Sequence, residues 1–231
     1  MTELTVFSTI GVRSAAEQLF AQFDKASHKL AVIWGTAPML VKRIEDGDSA
    51  DVVVLSRAGI DALQKLGKLA AGSDVTLASS GVGIAVKAGA PKPDISTPEA
   101  LKRALLAAKS IAYSEPSAGG ASGVYFAKLL ERMGIAEQMK LKTKYPPPGG
   151  FSANLLMTGE AELAVQQKPE LLHVAGAEVI GLLPGDLNVV TEFAAAIMAG
   201  CKYADVAAAL ITALQSPEAT AVFRAKGLDP S

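Results

Sequence analysis

Cysteine occurs once in this sequence, at Cys201, and histidine twice, at His28 and His173. One thiol excludes an internal disulfide and a cysteine-built metal centre, and two distant imidazoles make no zinc pattern. Charge is sparse as well: 19% of residues are Asp, Glu, Lys or Arg, and the net charge is −1. Lys and Arg are scattered along the chain, so neither a nucleic-acid surface nor a basic membrane patch is expected. No apolar run approaches the ~18 residues of a membrane-crossing helix, so direct membrane insertion is not expected. Paired carboxylates, a Ser/His/Asp set and a Cys/His set are all missing, and with them the common signatures of hydrolytic or metal-assisted catalysis. No cofactor motif is present either. What the chain has is 50% hydrophobic residues spread over 231 positions. That is enough for one large domain or for two lobes that each bury a core.

The apolar residues arrive in short runs separated by glycine, proline and hydroxyl residues. Strands are expected at 4–7, 29–34, 51–55, 82–87, 110–113, 141–144, 161–166, 179–183 and 192–198. Helices are expected between them: from Ser14, read as an N-cap, to about residue 25; at 39–45, with Pro38 in the first turn; and at 60–66. Further helices follow Thr97-Pro98 and Pro169, and run at 124–133, 152–158, 203–214 and 217–226. The stretches 8–13 and 56–59 read as loops after the first and third strands, and 79–81 as a lead into the fourth. Regular strand–loop–helix alternation predicts an α/β fold with parallel strands and ligand loops at their carboxyl ends. The turn-rich break near 80–95 favours two lobes over one doubly wound sheet.

The most informative stretch is 114–123, Ser-Glu-Pro-Ser-Ala-Gly-Gly-Ala-Ser-Gly. It joins a strand to a helix, with Ser122 as the candidate N-cap. It is longer than the usual link of about 2–6 residues. Its glycines let a ligand approach the backbone, and free amides at a helix start attract anions. The stretch lacks the Lys-Ser/Thr ending of a P-loop.

Several motifs, in this order, resemble the molybdate-binding proteins of ABC transporters, within the type II periplasmic binding protein superfamily. They are Leu-Thr-Val-Phe at 4–7; Gly-Thr-Ala-Pro-Met-Leu-Val-Lys-Arg-Ile-Glu-Asp-Gly at 35–47, with Ala-Asp-Val at 50–52; Thr-Gly-Glu-Ala-Glu at 158–162; and Ser-Pro-Glu-Ala-Thr-Ala-Val-Phe at 216–223, with Gly227. The resemblance covers nearly the whole chain. It implies two α/β lobes, a discontinuous first lobe of residues 1–81 plus 194–231 and a second of 82–193, with a ligand cleft between them. It also implies a solute-binding protein that captures a small anionic ligand, with ABC transporter membrane components as partners. The serines with which family members hold an oxyanion fall at Gly11 and Ala37 here, and a family tyrosine at Gln167. With Arg13 and Arg57 in first-lobe loops, and a guanidinium fork matched to carboxylates, an organic carboxylate is favoured over a molybdate-type oxyanion.

The expected ligand-binding residues are Thr9, Arg13, Thr36, Arg57, Ser117, Gly120, Ser122, Tyr145 and Gln167, with no metal and no cofactor. Each also has a plainer reading. The arginines can lie on helix surfaces, the hydroxyls can cap helices, and Tyr145 can be a packed aromatic. Of Gln166 and Gln167, strand alternation turns only one into the cleft. The alternative function is an enzyme on the same fold, an isomerase, dehydratase or decarboxylase of a small organic acid. Glu115, Tyr145 and His173 would be its proton-transfer groups. Met1 leads straight into a strand-like run without a basic and then apolar leader. A cytoplasmic location is therefore expected for the chain as written, and a periplasmic one if a signal peptide has been removed.

Overall fold

The computed structural model describes residues 2–24 and 28–231, and the chain divides into two units. Unit 1 comprises Met1–Ser79 and Thr191–Ser231, and unit 2 comprises Ser80–Val190. In chain order the elements are β1 (Thr2–Thr9), α1 (Arg13–Asp24), β2 (His28–Gly35), α2 (Ala37–Glu45), β3 (Val52–Ser56), α3 (Arg57–Lys65) and β4 (Val75–Lys87). Then come α4 (Pro98–Ala107), β5 (Ile111–Tyr113), α5 (Ala121–Arg132), α6 (Ala136–Lys140), β6 (Thr143–Lys144), α7 (Asn154–Met157), β7 (Leu163–Gln167) and α8 (Lys168–Leu172). The chain ends with β8 (Ala177–Leu182), β9 (Val190–Ile197), α9 (Ala204–Leu214), α10 (Pro217–Ala225) and β10 (Asp229–Pro230).

In unit 1, β1 lies between β2 and β3, parallel to both, and β9 runs antiparallel beside β3. The sheet is buried on both faces, so its strands read as nearly continuous apolar runs. Leu4, Val6, Val52 and Val54 pack with Leu19, Phe20, Leu210 and Phe223 from α1, α9 and α10. Phe7, Val53 and Leu55 point the other way, to Leu40, Ile44, Ile60 and Leu63 of α2 and α3. In unit 2, β5 lies between β6 and β7, parallel to both, while β4 pairs antiparallel with β7 and β8. Val82, Ile84 and Val86 pack with Leu101, Leu105, Phe126 and Leu129 of α4 and α5. The opposite face carries Ala85, Ala112 and Ala164, small enough for Leu155, Leu156 and Leu171 to approach closely. Three helices start as their sequences suggest: Thr36, Thr97 and Ser216 accept from the N–H groups of Met39, Ala100 and Ala219. Each such cap is worth about 1 kcal/mol.

Several local expectations are corrected. Ser8 and Thr9 are not loop residues: they pair with Trp34 and Gly35, which extends β1 to Thr9. A short 3-10 turn, Ile10–Val12, then leads directly into α1, so Ser14 is the second residue of the helix rather than its cap. The expected end of that helix near Lys25 lies outside the described residues. The expected loop at 56–59 does not form, because α3 begins at Arg57. Residues 79–81 are the middle of β4, which starts at Val75. Gly120 stands at the N-cap of α5, and Ser122 is inside the helix. The sheets are mixed, not wholly parallel, since β4, β8, β9 and β10 run antiparallel to their neighbours. The short α6 and β10 lack the repeated apolar periodicity that reveals longer elements.

Candidate functional site

Parallel pairing gathers the loops. In unit 1, β2, β1 and β3 are adjacent and parallel, so their carboxyl ends share one edge. Thr9 sits directly across from Gly35, with Thr36 next and the start of α3 beyond β3. Thr9 and Thr36 are buried, and Thr36 caps α2 through a 3.4 Å contact to the Met39 N–H. Ser8, wholly buried beside Thr9, and Ser14 each carry a hydroxyl oxygen without a partner among the described residues. Buried hydroxyls are rarely left in that state.

The two arginines of unit 1 differ. Arg13 opens α1, half-buried, with its Nε 2.7 Å from Glu17 and its guanidinium 5.3 Å from the Trp34 ring centre. Its other guanidinium N–H groups have no carboxylate partner among the described residues. Arg57 is bound on both prongs, to Asp74 Oδ2 at 2.8 Å and to Thr76 Oγ1 at 2.8 Å. Its fork ties α3 to the segment leading into β4.

In unit 2 the carboxyl ends of β7, β5 and β6 likewise share an edge. After β5 the chain makes a 3-10 turn, Pro116–Ala118, turns through Gly119 at φ 73°, and enters α5 from Gly120. The left-handed conformation at Gly119 is one that residues with a Cβ seldom adopt. Gly123 presses on the strand end: a Cβ there would lie 2.1 Å from the Ser114 carbonyl oxygen. That contact holds the first turn of α5, with the outward N–H groups every helix start has, directly over Ser114. Ser117 is exposed, and Ser122 is buried in the first turn.

Tyr145 follows β6, is 44% exposed, and meets Tyr113 edge-on with the two hydroxyls 3.3 Å apart. Burial, reinforced by the Tyr145 hydroxyl, holds the Tyr113 phenol well above its usual range, so it stays a neutral hydrogen-bonding group. Both glutamines at the end of β7 are buried. Gln167 caps α8: its side chain accepts from the Glu170 N–H, and Glu170 accepts from the Gln167 N–H at 3.2 Å. Burial pushes the Glu170 carboxyl up to about 8, and that single backbone hydrogen bond only partly opposes it. Gln166 turns to the opposite face of the strand, where it binds Ser152, Gly150 and Ser114.

The structure therefore groups Thr9, Arg13, Thr36 and Arg57 along one edge of unit 1, and Ser117, Gly120, Ser122, Tyr145 and Gln167 along one edge of unit 2. From the sequence, Ser8 is only a neighbour able to substitute for the missing family serines, Ser114 only the first residue of the glycine-rich stretch, and Gln166 the alternative to Gln167. A hydroxyl residue at the carboxyl end of a strand was the available signal for the two serines. His173 is exposed against the Phe151 ring, and Glu115 is exposed. Among the described residues no three His, Cys, Asp or Glu side chains form a metal-binding group. No single described helix is long and apolar enough to cross a membrane.

Residues 4–229 match the family model described as bacterial extracellular solute-binding protein. The whole chain is 33% identical, over 237 aligned positions, to an aconitate isomerase of a Pseudomonas species, of which the match covers 88%. The periplasmic molybdate-binding protein of Azotobacter vinelandii superposes with a TM-score of 0.79 over 97% of this chain and 98% of its own, at 19% identity. The sulfate-binding protein SubI of Mycobacterium tuberculosis H37Rv gives a TM-score of 0.73 over 100% of this chain and 87% of its own, again at 19% identity. At that identity the two structures speak for the fold, which is that of the periplasmic binding proteins.

Proposed function

Because the chain belongs to the bacterial extracellular solute-binding protein family, we propose that it captures a small organic polycarboxylate. The observation that carries this reading is the match, across the whole chain, to a protein named for a tricarboxylate. Local chemistry supports it. Helix-start amides at α2 and α5 favour negative charge. Thr9, Thr36, Ser117 and Ser122 supply hydroxyls near those starts, and Tyr145 adds a half-exposed phenol. Arg13 adds a guanidinium suited to a carboxylate fork. Arg57 and Gln167 serve the site by ordering their loops, through Asp74 and Thr76 in one case and through the α8 cap in the other. Molybdate and sulfate are disfavoured by Gly11 and Ala37, where the resemblance calls for serine hydroxyls.

A second reading, turnover of the acid, is favoured by the same relative. Interconverting the isomers of aconitate by a double-bond shift takes a proton from one carbon and returns one two carbons away. A phenol or carboxyl beside the bound acid can serve that exchange, and Tyr145 and Glu115 are the groups here with access to solvent. Under the capture reading the protein delivers its ligand to ABC transporter membrane components. Under the turnover reading it needs no membrane partner.

A thermal-shift panel of citrate, cis- and trans-aconitate, tricarballylate, succinate, sulfate and molybdate tests the ligand class. A ligand at about 100 times its Kd should add roughly 2.7 kcal/mol. A shift with molybdate and with none of the acids overturns the proposal. Proton NMR of each active acid after incubation with the protein then distinguishes capture, which leaves the spectrum unchanged, from isomerisation, which converts it.

A further inference from the structure

Gln166 is fully buried at the end of β7, and its amide joins three segments of unit 2. Its Oε1 accepts from the Ser152 N–H at 2.7 Å and from the Ser152 hydroxyl at 3.0 Å. Its Nε2 donates to the Gly150 carbonyl at 3.3 Å and to Ser114 Oγ at 3.2 Å. Chemistry fixes this orientation, because a backbone N–H only donates and a backbone carbonyl only accepts. Reversing the amide would set N–H against N–H at Ser152 and oxygen against oxygen at Gly150. Ser114 Oγ is consequently an acceptor in its contact with Gln166. Its own hydrogen is left to donate elsewhere, and among the described residues no hydrogen bond uses it. Ser114 is half-buried, close under Gly120 and Gly123 at the start of the twelve-residue helix α5.

We infer that Gln166 is a positioning residue for the ligand and that Ser114 is a specificity-determining contact. By occupying a lone pair of Ser114, Gln166 turns the serine hydroxyl hydrogen toward a ligand carboxylate at the start of α5. Held this way, Ser114 offers a ligand a donor, which suits an ionised carboxylate and not a group that can only donate, such as an ammonium. The inference rests on the carboxylate reading above.

The test is titration calorimetry with citrate and trans-aconitate as probes, on wild type, S114A, Q166E and the double variant, from pH 5.5 to 8.5. S114A should lower the melting midpoint modestly, because the buried Gln166 Nε2 loses an acceptor, and should bind about 10- to 100-fold more weakly, the range for one hydrogen bond to a charged group. In Q166E an ionised carboxylate draws the Ser114 hydrogen inward, so affinity relative to wild type should fall at pH 8.5. It should recover at pH 5.5, where the protonated carboxyl can again donate. The double variant should bind no more weakly than S114A alone. Wild-type affinity in S114A, or additive losses in the double variant, overturns this inference while leaving the carboxylate reading intact. A wild-type protein that binds neither probe removes the carboxylate reading and this inference with it.

Discussion

Replacing Glu170 by glutamine should make unit 2 more stable at pH 8 and leave it nearly unchanged at pH 4.5. The side chain is buried under the β7–α8 junction, where it accepts from the Gln167 N–H at 3.2 Å. Burial lifts its pKa from 4.5 to about 8 in the folded protein. The sign follows from linkage: the unfolded chain releases this proton near pH 4.5, the folded one only near pH 8, so between them the folded state binds more protons. Stability is fully present below the unfolded value and drains away as pH rises to the folded value. At 1.36 kcal/mol per pH unit, the full loss over that window is about 5 kcal/mol. Glutamine keeps the acceptor that completes the α8 cap and has no proton to lose. The difference between variant and wild type should therefore be near zero at pH 4.5 and grow steadily to pH 8. At roughly 2–4 °C per kcal/mol for a protein of this size, the midpoint gap should reach roughly 10 °C or more. Differential scanning calorimetry of both proteins at half-unit pH steps measures it. A gap that does not grow with pH, or a variant less stable than wild type at pH 8, refutes the reasoning.

Arg13→Ala should weaken citrate or aconitate binding by about tenfold or more, since a charge-assisted hydrogen bond is worth ~1.5–3 kcal/mol; unaltered calorimetric affinity would take Arg13 out of the site. Arg57→Ala should instead cost about 1–2 kcal/mol of stability, by leaving Asp74 and Thr76 without their donor, and should weaken binding less than Arg13→Ala in the same titration. Gly123→Ala should be destabilised by about 3 kcal/mol or more, because its Cβ cannot share space with the Ser114 carbonyl oxygen. Denaturant melts give that figure, and a variant of wild-type stability would mean α5 is not held against β5 as described. Thr97→Ala should cost about 1 kcal/mol through the lost α4 cap, readable in the same melts.

Elements whose apolar residues are local and periodic were legible in the sequence. Val52–Leu55 announces a doubly buried strand, and Thr97-Pro98 and Ser216-Pro217 announce helix starts. What escaped was set by distant partners. Ser8 and Thr9 look like loop residues until β2 is seen to pair with them to its last residue. The antiparallel returns of β4, β8 and β9 depend on register between segments far apart in sequence. Within the site, the hydroxyl-rich turn after β5 was visible as a glycine-rich stretch. The two glutamines of β7 were not separable, because alternation gives a choice of face only when one face is wet. Here both faces are covered, so Gln166 and Gln167 are both buried and do different work.

On the proposed function, the ligand is a small organic carboxylate held through helix-start amides and hydroxyl groups. Titration calorimetry of the purified protein with trans-aconitate, citrate and molybdate at one pH and ionic strength tests it most directly. At least one acid should give a saturable heat, with a Kd unaffected by excess molybdate. Molybdate binding that no carboxylate displaces, with no heat from either acid, would contradict it.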